Sequence, residues 1–67
     1  MADMTLLRKR IDDSGIKMTA LATRCGITYQ GLWRKLRGET EFRAPEMQAI
    51  KDMLHLDADE MMNIFFN

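Results

Sequence analysis

Residues 17–37 read KMTALATRCGITYQGLWRKLR, from Lys17 to Arg37. The stretch carries five Lys or Arg and no Asp or Glu, in a chain of 67 residues with a formal net charge of zero. Leu21, Ala22 and Cys25 share one face of a short helix, and Leu32 and Leu36 stand one turn apart on the next. Between them Cys25-Gly26-Ile27-Thr28 reads as a sharp joint. Gly26 takes a positive φ at a helix C-terminus without a Cβ penalty, and Thr28 accepts from the first free N–H groups of the following helix. Two basic helices meeting at a glycine turn predict an arrangement that sets one of them in the major groove of DNA.

Outward from that joint, the chain reads as a single all-α domain over 1–67. Five helices are expected at about 4–14, 18–25, 29–36, 45–54 and 58–66. Met4, Leu7 and Ile11 recur at helical spacing, Asp3 or Thr5 supplies a cap, and Gly15 closes the first helix. Gly38 stops the third. The connector Glu39-Thr40-Glu41-Phe42-Arg43 is anchored by Phe42, and Pro45 suits a first helical turn. Met47, Ile50 and Leu54 face inward from the fourth helix. Asp57-Ala58-Asp59-Glu60 has the form of a capping box. In the last helix Ala58, Met61, Met62 and Phe65 form one stripe. Ile64 and Phe66 fall outside it, either capping the core or forming a patch that pairs two copies.

Composition narrows the function classes. A domain of this size buries only about 60% of its unfolded surface, so it leans on good packing or a partner subunit. One cysteine excludes an intrachain disulfide, and Cys25 with His55 is too small a set for a Cys/His metal site. No metal, cofactor or small-molecule substrate is expected. The start has no apolar run of signal-peptide length and no segment could span a membrane, so a cytoplasmic location is expected, consistent with a lone thiol. No Ser/His/Asp set, paired carboxylates or phosphate loop is evident, so no enzyme is expected. The zero net charge hides an asymmetry: residues 1–40 hold eight basic and four acidic residues, and residues 41–67 hold two and six. A basic half predicts a surface that meets an anion, although two solvated faces that merely differ would read the same way.

On the third helix Gln30, Arg34 and Arg37 lie opposite the inward Leu32 and Leu36, with Tyr29 and Trp33 along one side. Gln pairs bidentately with adenine and Arg with guanine. Tyr29 reaches a base edge or phosphate, Trp33 packs on sugar or a thymine methyl, and Gly31 lets the backbone approach. Candidate phosphate contacts surround this face: Lys17 and Thr19 at the start of the second helix, Arg24 at its end, Thr28 at the joint, then Arg37, Thr40 and Arg43. The same residues have plainer uses. Trp33 also reads as a core residue, and Arg34, Lys35 and Arg37 as the usual cations of a helix C-terminus. Cys25 reads as a small core hydrophobe.

The run Leu21-Ala22-x-x-Cys25-Gly26-Ile27-Thr28, followed by Leu32 and Gly38, resembles the lambda-repressor-like helix-turn-helix family, also called Cro/C1 or XRE. The later run Leu36-x-Gly38-x-Thr40-Glu41-Phe42 and the closing Ile64-Phe65-Phe66 are similar to short phage and prophage regulators of this type. The resemblance implies a compact five-helix domain with a helix-turn-helix at helices two and three, binding operator DNA, often as a homodimer. By position it implies that Tyr29, Gln30, Trp33 and Arg34 face bases. Two positions depart from the pattern: Lys17 stands where Ser or Thr often caps, and Met18 where Gln often contacts DNA. The expected function is a sequence-specific double-stranded DNA-binding regulator. The alternative is a protein-interaction module on the same fold, an antirepressor or accessory factor using Met and Phe surfaces.

Overall fold

Capping chemistry sets where each helix begins and ends. The computed structural model describes residues 2–66 as five helices, with no strand among the described residues. They are α1 (Met4–Ser14), α2 (Met18–Cys25), α3 (Tyr29–Leu36), α4 (Ala44–Leu54) and α5 (Ala58–Phe65). The Asp3 carboxylate accepts from the Leu6 N–H at 3.0 Å, and the Thr28 hydroxyl accepts from the Gly31 N–H at 2.9 Å. Asp57 and Glu60 close a reciprocal box at the start of α5, with bonds of 2.8 and 3.1 Å. Each such cap stabilises its helix by ~1 kcal/mol. α2 differs, because Lys17 has no acceptor to offer and makes no side-chain cap.

The helix ends follow the same logic. Gly15 and Gly26 take φ of 72° and 73°, the left-handed closure expected of them. His55 closes α4 at φ 55°, and among the described residues it alone does so without being glycine. Its successor Leu56 is buried and donates its N–H to the Lys51 carbonyl at 3.0 Å, which holds the turn. α4 begins at Ala44 with Pro45 in its first turn, and α5 ends at Phe65, each one residue earlier than expected.

All five helices share one core. α2 packs on α3 and α4, and α1 touches α3, α4 and α5. Leu7, Leu21, Leu32, Ile50 and Ile64 are fully buried at its centre. Phe42 anchors the connector as expected, meeting Phe65 edge-on at 5.7 Å between ring centroids.

The last helix corrects the sequence reading. Ile64 is 0% exposed and Phe65 is buried, whereas Ala58 and Met62 face solvent. The Asp3 N–H donates to the Ile64 carbonyl at 2.6 Å, tying the end of α5 to the start of α1, and the Ile64 side chain is buried in the shared core. Ile64 therefore has no surface to offer a second copy. Phe66 does, at 60% exposure, with Met62 beside it in helical spacing at 55%. No helix among the described residues is long and apolar enough to cross a membrane.

Candidate nucleic-acid interface

α3 is strongly two-sided. Leu32 and Leu36 enter the core, and the opposite side stays open. Tyr29, Gln30, Trp33, Arg34 and Arg37 line one shallow depression there, so four expected base contacts and one expected phosphate contact share one surface. Tyr29 and Trp33 meet edge-on with centroids 6.2 Å apart. Trp33 is half-buried and packs against the core, which agrees with its plainer reading as a core residue. The Arg8 guanidinium of α1 lies 4.4 Å from the centre of the Trp33 ring.

The stretch that is free of acid in sequence is not free of it in space. Glu39 turns back from beyond α3 and accepts from Arg37 Nε at 2.6 Å. The hydrogen bond from Arg37, then its charge and that of Arg34, hold the Glu39 carboxyl below the ordinary carboxylate value. Both partners are more than half exposed, so water and salt screen the pair. Arg34 makes no ion pair among the described residues.

Lys35, the fifth cation of the stretch, lies elsewhere. Its side chain is only 12% exposed, and its ammonium sits 3.0 Å from the Glu46 carboxylate of α4. It also donates to the Glu41 carbonyl at 2.9 Å and lies over the Phe42 ring at 5.8 Å. Glu46 in turn accepts from the Arg43 N–H at 2.9 Å, capping α4. Burial raises the Glu46 carboxyl, but the bonds from Arg43 and Lys35 and their charge outweigh it and leave the group below its ordinary value. The seam therefore locks the end of α3 to the start of α4. Cys25 lies against it, with Sγ 3.7 Å from the Glu46 carbonyl. Burial, then the Glu46 charge, push the thiol up despite the opposing pull of Lys35, which suits an inert packing role.

The remaining expected phosphate contacts are exposed but dispersed. Lys17 and Thr19 stand at the uncapped start of α2, Arg24 at its end and Arg43 at the start of α4. Thr28 is committed to its cap. Thr40 lines a separate groove with Gly38, Phe42, Met47 and Phe66, and is not part of the α3 depression. Gly31 has an internal reason for lacking a side chain, since a Cβ there would stand 3.0 Å from the Thr28 hydroxyl oxygen. Sequence reasoning missed Arg8, Glu39 and Glu46. Only Glu46 left a local signal, as an acid three residues after the cap position Arg43 in a proline-containing first turn. Comparison with protein-family models, with curated proteins and with solved structures finds no match to this chain.

Proposed function

We propose that the chain is a sequence-specific double-stranded DNA-binding regulator of the lambda-repressor-like type, acting in the cytoplasm by occupying a site rather than by catalysis. In this reading α2, the Gly26 turn and α3 form a helix-turn-helix, and α3 enters the major groove. The supporting observation is the α3 depression, where two aromatics, an amide and two guanidinium groups share one exposed surface, with Glu39 bonded to the Arg37 guanidinium. Gln30 and Arg34 are the bidentate readers of adenine and guanine, while Tyr29 and the exposed edge of Trp33 supply contact area. Lys17, Arg24, Arg37 and Arg43 frame the duplex through phosphates. Thr19 sits among the open N–H groups of α2, whose missing cap leaves donors for an anion.

Selection of bound duplexes from a random library, read out over a salt series, tests this reading. The expected result is a recovered motif, with affinity that falls linearly with log salt. Failure to bind any duplex at low salt would sink it. Phe66 and Met62 are the apolar surface left for a second copy, and a dimer would place half-sites about 34 Å apart. A Phe66→Ser variant whose mass by light scattering equals that of a dimeric wild type would remove Phe66 from that role.

A further inference from the structure

Four side chains from two helices form a chain of pairwise contacts that runs from α1 onto the reading face. Asp12 Oδ1 lies 3.5 Å from Arg8 Nε on α1. The Arg8 guanidinium lies 4.4 Å from the centre of the Trp33 ring on α3. Trp33 then meets Tyr29 edge-on at 6.2 Å, and both rings line the α3 depression. Arg8 thus has its charge answered by a carboxylate of its own helix while its guanidinium sits over an indole. That environment leaves it a poor phosphate contact, because Asp12 would stand close to any phosphate it met. It also covers one face of Trp33, so a base cannot stack there.

We propose that Arg8 is a positioning residue for DNA recognition. It pins the Trp33 ring from α1, and through Trp33 it sets the Tyr29 ring, so that the aromatic side of α3 meets the duplex already ordered. This rests on the DNA-binding reading of the α3 face. Ordering the two rings before docking lowers the entropy that binding must otherwise remove. α1 lies outside the two-helix unit itself and in this account is part of the recognition apparatus.

Trp33 is the only tryptophan of the chain, so its fluorescence reports the contact directly. The test compares wild type, Arg8→Gln and Arg8→Lys, first as free proteins and then on a duplex selected by the wild type. In the free protein, Arg8→Gln is expected to make Trp33 more accessible to acrylamide and to lower its anisotropy, with the melting transition retained. On the duplex it is expected to weaken binding about two- to fivefold, the range an exposed cation–π contact sets, with the salt slope unchanged. Arg8→Lys restores part of both effects together, because lysine returns the cation but not the plane. Unchanged Trp33 quenching in Arg8→Gln overturns the proposal. So does a salt slope that falls by about one, which would make Arg8 a phosphate contact. Wild-type binding that Arg8→Gln matches overturns the positioning role alone, whereas a wild type that binds no duplex overturns the DNA reading with it.

Discussion

The outer face of α3 and the seam between α3 and α4 use the same kind of residue to different ends. Arg34 and Lys35 are neighbours in the chain. Arg34 is exposed and makes no ion pair among the described residues, while Lys35 is held at 3.0 Å from a buried carboxylate. The helix turns one cation toward solvent and its neighbour into the fold. Positive charge along a sequence therefore measures neither the interface nor the core until each cation is assigned a side. The difference also separates two expected consequences: damage at the seam should lower stability, and damage on the outer face should lower the proposed duplex binding.

The largest expected effect is at the seam. Glu46→Ala strands the Lys35 ammonium and removes the cap on the Arg43 N–H, so it should cost about 2–3 kcal/mol of stability. Thermal unfolding followed by circular dichroism checks this. A melting temperature close to wild type would show that the seam is ornamental and would break the contrast.

Acid should weaken the same seam. The Glu46 carboxyl titrates below its ordinary value near 4.5 in the folded chain. Its contribution is therefore complete above that value and is lost as pH falls through the lowered folded pKa. Melting temperatures measured downward from neutral pH should drop more steeply in wild type than in Glu46→Gln below that point. Parallel curves would contradict the assignment.

A smaller loss is expected at the joint. Thr28→Ala removes the cap of α3 and should cost ~1 kcal/mol, measurable by urea unfolding. The smallest expected effect is on the outer face. Glu39→Gln frees Arg37 from its exposed partner, so duplex affinity should rise about twofold at low salt, with little change at high salt. A weaker-binding Glu39→Gln would mean that Glu39 orders Arg37 for contact and does not compete with the duplex.

The helices and the residues on the outer side of α3 were legible in the sequence, whereas the seam was not, and the reasons are physical. Helix boundaries came from local chemistry: Gly15, Gly26 and Thr28 act within a turn of themselves, so short-range rules sufficed. The buried sides of α2, α3 and α4 followed from the spacing of Leu21, Leu32 and Ile50 among polar residues. α5 was different. It is apolar on most sides, so periodicity could not choose between the stripe through Met62 and the one through Ile64. The choice was made from outside, by packing against the rest of the core, where Ile64 and Phe65 are both buried. The outer face of α3 was predictable as a set of residues, because one amphipathic helix carries most of it. Its neighbours were not, since the pairings Arg8 with Trp33 and Lys35 with Glu46 exist only once separate helices pack. Glu39 was visible in sequence but stood just outside the stretch that drew attention to charge.

The central claim is that the open side of α3 reads bases. Its most direct test is equilibrium binding of wild type and Arg34→Ala to a selected duplex and to a set carrying every single base-pair change. The account predicts that Arg34→Ala binds the selected duplex about 1–3 kcal/mol more weakly and loses discrimination at one position, while its melting temperature stays near that of wild type. Equal affinity and an unchanged preference at every position would contradict it.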